Sequence, residues 1–431
     1  IGGGLAFEGL NNVASSQNNL LIILNDNDMS IDHNVGSLNQ SLVKINTSKS
    51  YNRIRFKVYK ALRKLHLIDD KHRGIILRFN NSLKSLISRQ QNIFEGLNIR
   101  YFGPYDGHDI ERLVRVFNDI KDMDGPRILH LRTTKGKGYE PAEKNPTLWH
   151  APGKFNKETG EVIREKSDGR MKYQDVFGKT LVELAEKNPK IVGITAAMTT
   201  GCSMTYMQEA FPERTFDVGI AEGHAVTFSG GLAKDGIKPF CCIYSTFLQR
   251  AYDEILHDVC LQGLPVVFAV DRAGLVGEDG ETHQGVYDIA FLRTLPGMTL
   301  LSPASQEELS EMLQLALMQS GPVAIRYNRG ALPSHPLTKP VKVGEWEEVL
   351  HFAEKQLVVI ATGRLLSAAL KASDGLPVGL VNARSIKPMD DTMLARIAEH
   401  GAPVITVEDG IVAGGFGEAV QAAIGHVVRV S

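Results

Sequence analysis

From Tyr173 onward the chain alternates short apolar runs with helical patterns, and few architectures satisfy that rhythm. IVGITAA (191–197), TFDVGIA (215–221), PFCCIYS (239–245), PVVFAVD (265–271), MTLLSP (298–303) and VAIRY (323–327) read as strands, separated by segments long enough for helices. Strands joined through helices pair in parallel, so the class is α/β with a doubly wound, mostly parallel sheet.

The same rhythm extends both ways. IGGGLAFEGLNNVAS reads as an amphipathic helix, LLIIL (20–24) as a buried strand and NDNDMSIDHNVG as the polar turn at its carboxyl end. Ile54, Val58, Leu62 and Leu65 stand at helical spacing within 51–66, with basic residues between them, a pattern that fits a solvated helix face better than a nucleic-acid patch. Asp109 is placed to cap a helix over IERLVRVFNDIK that buries Ile110, Leu113, Val114 and Phe117, and RILHLRTT follows as a strand. The charged segment 153–170 reads as a linker, and PSHPLTKPVKVGEWEE marks a boundary near 340. Beyond it LVVIATG, VGLVNA, PVITVED and VVRVS alternate with helices. Three α/β units result: 1–168, 169–338 and 339–431.

A formal net charge of −1 gives no global attraction for nucleic acid or a membrane surface, which leaves small molecules as the expected partners. Cys202, Cys241, Cys242 and Cys260 lack metal-site spacing and read as buried free thiols. No apolar run approaches the ~18 residues of a membrane helix. The chain starts at Ile1 inside a Gly-rich turn and stops at Ser431 after an apolar strand, so an incomplete chain is expected, with any targeting signal outside it.

Ligands of parallel α/β sheets bind at the carboxyl ends of strands. Four such ends are furnished with polar groups: a turn bearing Glu222 and His224 before a helix opening on Ala225, then Tyr244 to Arg250, Asp271 to Gly285, and Arg326 with Arg329. Glu222 alone reads equally as a complement to the helix dipole. Arg272 and Arg329 suit phosphate through bidentate guanidinium geometry, whereas Arg326 reads at least as well as a surface ion pair. His150 and His283 are candidates for proton transfer, although a single histidine is more often structural. In KGKGYEPAEKNPTLWH, Gly136 and Gly138 would let the backbone approach a ligand, and Lys135 and Lys137 could meet phosphate.

NDNDMSIDHNVGSLN, GPYDGHD, KGKGYEPAEKNPTLWH, FDVGIAEGHAVTFSGGLA, IYSTFLQRAYDEILHDV, DRAGLVGEDGETHQGVYD and EDGIVAGGFGEAV closely resemble the 1-deoxy-D-xylulose-5-phosphate synthases, thiamine-diphosphate enzymes of the transketolase superfamily. The resemblance is weakest over 45–92; THQG also occurs in transketolases, while NDNDMSI, YEPAEKNP and YSTFLQRAYDEILHD point to the synthases. It implies a transketolase-like fold with a transketolase C-terminal-like domain, thiamine diphosphate and Mg²⁺ as cofactors, and a homodimer in the bacterial cytoplasm or plastid stroma. The implied reaction is decarboxylative condensation of pyruvate with D-glyceraldehyde 3-phosphate, an entry step to isoprenoids. A transketolase-type ketol transferase and a catalytically dead thiamine-fold binding protein are the alternatives.

Roles follow from the resemblance residue by residue. Glu222 would bond the aminopyrimidine N1′, Phe247 would stack on that ring, and Tyr139 would line the cofactor site. Asn27, through its side-chain oxygen, and Met29, through its carbonyl, would hold Mg²⁺; Asn27 also reads as an Asx turn. Tyr244, Arg272 and Arg329 would take the phosphate, Arg250, Asp279 and His283 would lie near the hydroxyl and aldehyde, and His150 near the reacting carbon. The family's Gly-Asp-Gly metal signature would fall immediately before Ile1, so a polypeptide of only these residues is expected to bind the cofactor poorly and turn over little.

Overall fold

The computed structural model describes residues 3–15, 18–29, 93–150, 152–163, 169–277, 280–331 and 338–431. The helix expected over 51–66, the end of the NDNDMSIDHNVG turn and Asp279 lie outside them. Two compact units form, Ile1–Arg164 and Glu165–Ser431.

In the first unit, β1 (Leu21–Asp26), β3 (Arg127–Arg132) and β2 (Arg100–Asp106) pair in parallel in the order β1-β3-β2. Because side chains alternate faces along a strand, Phe102, Leu129 and Leu131 pack with Leu113, Val116 and Ile120 of the helix Ile110–Ile120, while Tyr101 and Ile128 pack on the other side with Leu10 of the helix Gly4–Ser15. That is double winding in its smallest form. Asp109 caps the Ile110–Ile120 helix as expected, accepting from the Arg112 amide at 3.0 Å. The buried face, however, is Leu113, Val116 and Ile120; Ile110 and Val114 stay exposed, so the buried stripe lies to one side of the one inferred from spacing. The two units divide within the segment expected as a linker, and in its described first part Phe155 bridges Val162 while Asn156 accepts from the amides of Glu158 and Thr159 to turn the chain.

The second unit holds two sheets. Its larger sheet runs β13-β8-β9-β7-β6-β4-β5, with β4 (Ile191–Thr195), β5 (Thr215–Asp217), β6 (Lys238–Tyr244), β7 (Val267–Asp271), β8 (Thr299–Leu301), β9 (Val323–Arg326) and β13 (Ser385–Lys387). All pairings are parallel except that of β13 with β8. β4 and β7 are buried along their whole length, as strands covered on both faces must be. The smaller sheet is β10-β12-β11-β14, built from β10 (Glu347–Leu350), β11 (Leu357–Ala361), β12 (Val378–Asn382) and β14 (Val404–Val407). The final VVRVS run adds only a bridge from Val430 to Val404. β2, β10 and β13 carry no long apolar run and were not expected.

Two buried polar hubs tie the sheets together. Arg326, at the end of β9, is a fully buried ion pair, not a surface one: its Nε donates to both Asp288 oxygens at 3.2 and 3.1 Å and its Nη1 to Asp409 at 3.0 Å, just past β14. Burial works against the Arg326 charge, but Asp288 and Asp409 outweigh it and hold the guanidinium protonated beyond its usual range. Glu308 accepts from Asn382 of β12 at 2.8 Å and from the Ala304 amide at 2.7 Å. Arg326→Met should therefore leave two facing buried carboxylates and lower the unfolding free energy by about 3–5 kcal/mol in a urea titration; a loss below about 1 kcal/mol would contradict this role.

Candidate active site

Parallel pairing sets the strand ends of the larger sheet side by side, with Tyr244 opposite Asp271 in register. The chain steps from β4 out to β5 and back across to β6, so the ends of β4 and β6 flank the switch point of the sheet. Asp217, closing β5, organises this corner by accepting from the amides of Ala197 and Gly219, each at 2.9 Å, and from Thr199 Oγ1 at 3.0 Å.

The helix after β5 spans Glu222–Lys234, three residues earlier than the opening on Ala225 expected from sequence, so Glu222 and His224 both belong to its first turn. Glu222 is only 2% exposed, whereas His224 points outward and stacks on Phe228. Arg250 Nη1 donates to Glu222 Oε2 at 2.7 Å. Burial is the largest influence on the carboxyl and raises its pKa, with a backbone hydrogen bond and the half-exposed Arg250 offsetting part of that rise. A carboxyl so placed is dry, fixed and able to hold a proton at higher pH than in water.

Three residues before Arg250, Phe247 lies half-buried, stacked near-parallel on Tyr244 at 5.9 Å and edge-on to His283 at 5.3 Å. His283 Nδ1 is 2.9 Å from Thr282 Oγ1. Arg272 stacks over the Tyr244 ring at 4.3 Å and pairs with Asp271 at 2.8 Å. Burial opposes the Arg272 charge, but Asp271 prevails and keeps it above its usual pKa. Arg329 donates to the Val276 carbonyl at 3.3 Å. The structure thus gathers Tyr244, Phe247, Arg272 and His283 into one ring-stacked group and joins Arg250 to Glu222.

Sequence reasoning passed over the end of β4. The loop after it brings Gly201 against Tyr244, where any Cβ would collide with the phenol oxygen, and Gly285 leaves room for the Arg272 carbonyl in the same way. Glycines just past predicted strands were the available signal. Gln174, which bonds Arg272, sits inside a helix and carries none.

The first unit holds its own group at the end of β1. Asn27 Oδ1 accepts from the Met29 amide at 3.1 Å, an Asx turn that occupies one of its two lone pairs, and Asp28 takes a left-handed backbone at φ 59°. Behind the turn, His130 links Asp26 at 3.0 Å to the Tyr101 hydroxyl at 2.6 Å. Tyr139 packs edge-on against Trp149 at 4.9 Å and donates its hydroxyl to the Lys157 carbonyl. A Cβ at Gly136 would collide with Ala142, whereas one at Gly138 would meet nothing within 4 Å. Lys135 Nζ lies 3.1 Å from His150 Nδ1, and since an ammonium only donates, His150 accepts there and carries its neutral-ring proton on Nε2. The four cysteines are buried and free, with burial pushing Cys241 up to about 12 and Cys260 to about 11, which leaves them unreactive.

Comparison with known proteins matches residues 1–133 to a family model described as 1-deoxy-D-xylulose-5-phosphate synthase, 169–335 to the transketolase pyrimidine-binding domain and 346–429 to the transketolase C-terminal domain. The 1-deoxy-D-xylulose-5-phosphate synthase of Parabacteroides distasonis is 52% identical, with 97% of this chain and 67% of that protein covered. The chain belongs to the 1-deoxy-D-xylulose-5-phosphate synthase family. That of Bacteroides fragilis is 53% identical over 97% of this chain and 66% of its own length, so the chain spans about two thirds of these synthases. Among solved structures, a split-gene transketolase described as an inactive β4 tetramer superposes with TM-score 0.55 at 30% identity over 61% of this chain and 88% of its own. A Campylobacter jejuni transketolase also reaches 0.55, at 16% identity over 99% of this chain and 70% of its own, a likeness of fold.

With its folded pKa raised, Glu222 costs the synthase stability as pH rises from the ordinary carboxyl value of 4.5 through the folded value. Glu222→Gln has no such titration, so without cofactor the variant's melting temperature should gain on wild type as pH climbs from about 4 to about 8. A constant difference across that range would show that burial does not shift this group.

Proposed function

We propose that this chain carries the thiamine-diphosphate site of a 1-deoxy-D-xylulose-5-phosphate synthase, condensing pyruvate with D-glyceraldehyde 3-phosphate as CO₂ leaves. The observation that carries this is Glu222, a carboxyl buried in the first turn of the helix after β5 and bonded to Arg250, in a chain about half identical to synthases along 97% of its length. When bound, thiamine diphosphate supplies the electron sink that lets pyruvate lose CO₂.

The donor chemistry of the residues fits that group. Glu222 holds a proton at the pyrimidine ring nitrogen, its raised pKa matching a carboxyl that must share one, and Phe247 offers the flat face for the ring. Arg250, paired with Glu222, restrains that carboxylate and reaches toward the substrate hydroxyl with His283; Asp279 is assigned there by the resemblance alone. Tyr244, Arg272 and Arg329 hold the phosphate. His150, accepting from Lys135 and donating through Nε2, moves protons at the pyruvate-derived carbon.

In the first unit, the side-chain oxygen of Asn27 and the Met29 carbonyl are hard oxygen donors suited to Mg²⁺, while Tyr139 and its aromatic neighbours wall the cofactor site. A bound diphosphate would supply further hard oxygen donors to the same ion. The family resemblance, in a chain whose relatives include bacterial synthases, supports a homodimer in the bacterial cytoplasm.

The complete enzyme supplied with pyruvate, D-glyceraldehyde 3-phosphate, thiamine diphosphate and Mg²⁺ should release CO₂ in step with deoxy-sugar phosphate. Glu222→Gln should lower kcat by about a hundredfold or more while the protein stays folded. Ketol transfer between sugar phosphates without CO₂ release, or near-normal turnover in the variant, would overturn the assignment.

A further inference from the structure

The acceptors around Arg272 reach beyond the strand-end loops. Its Nη1 lies 2.8 Å from Gln174 Oε1, 2.7 Å from the Gly201 carbonyl and 2.8 Å from Asp271 Oδ2. A guanidinium nitrogen carries two hydrogens, so three acceptors crowd one nitrogen, each from a different element: the helix Tyr173–Lys187, the loop after β4 and the end of β7. The backbone beneath is equally constrained. Arg272 has φ 57°, a left-handed conformation that non-glycine residues seldom adopt, with its own amide donating to Asp271 Oδ1 at 2.6 Å. Gly285 makes this possible, because a Cβ there would lie 2.2 Å from the Arg272 carbonyl.

Asp271 is the carboxylate that pairs with Arg272 among the described residues, and the neutral Gln174 adds direction instead. Its amide is oriented at both ends. Arginine can only donate, so Oε1 must face it, which turns Nε2 to Ser203 Oγ at 3.3 Å; Ser203 in turn donates to Asp175 at 2.9 Å. A line of hydrogen bonds thus runs from Asp175 through Ser203 and Gln174 to the guanidinium stacked on Tyr244.

Resting on the reading of Arg272 as a phosphate-binding residue, we propose that Gln174 is a positioning residue that aims the Arg272 guanidinium and thereby sets the preference for a phosphorylated over an unphosphorylated aldehyde. Gln174 does not touch the substrate. It acts by removing the rotational freedom of a group whose value lies in bidentate geometry.

In the complete enzyme, Gln174→Leu should raise KM for D-glyceraldehyde 3-phosphate about tenfold, leave KM for pyruvate and kcat within about twofold, and leave kcat/KM for unphosphorylated D-glyceraldehyde unchanged. Gln174→Glu, which keeps the acceptor oxygen, should restore most of the phosphate preference, and Ser203→Ala should show a weaker version of the Leu effect. Equal losses on both aldehydes, or no change in KM for the phosphorylated one, would overturn the proposal. Arg272→Met separates the two layers: if it abolishes the phosphate preference while Gln174→Leu does not, positioning by Gln174 fails alone, and if it leaves the preference intact, the phosphate reading of Arg272 fails and this inference with it.

Discussion

Parallel strand pairing is the constraint on which the larger sheet depends. Because β5, β4, β6, β7, β9 and β8 run the same way, every loop that follows one of them opens on a single edge. Glu222, Tyr244, Arg272 and Arg329 are separated by up to a hundred residues in sequence and share that edge only for this reason. An apolar strand buried on both faces can carry nothing polar along its length, so chemistry is pushed to where the strand stops.

The polar groups inside the unit fall into two kinds. Arg326, Asp288 and Asp409 are buried and pair with one another, joining the two sheets. Glu222 is nearly as buried, yet Arg250, its charged partner among the described residues, stands half in solvent and can be screened. Burial therefore wins at Glu222 and raises its pKa, whereas at Arg326 paired charge wins.

Much of the fold was legible because a fully buried parallel strand leaves an unmistakable apolar run, as in PVVFAVD and LVVIATG. Strands without such a run were invisible: β13 contributes only three residues to an edge, and β2 is interrupted by Gly103 and Pro104. The exposure of Ile110 and Val114 shows that spacing identifies a helix more surely than the direction it faces. At the site, residues on strand ends could be recognised by their position, but Gln174 acts from the side of a helix through Arg272, and nothing local to it in sequence announces that contact. Arg326 could not be sorted into ion pair or ligand contact until its depth was known.

The central claim is that the buried carboxyl of Glu222 and the ring of Phe247 together receive the cofactor's pyrimidine. A crystal structure of the complete enzyme grown with thiamine diphosphate and Mg²⁺ tests it most directly. The account predicts density for the aminopyrimidine against Phe247, with a ring nitrogen at hydrogen-bonding distance from Glu222. A pyrimidine bound elsewhere, with Glu222 still engaged only by Arg250, would contradict it.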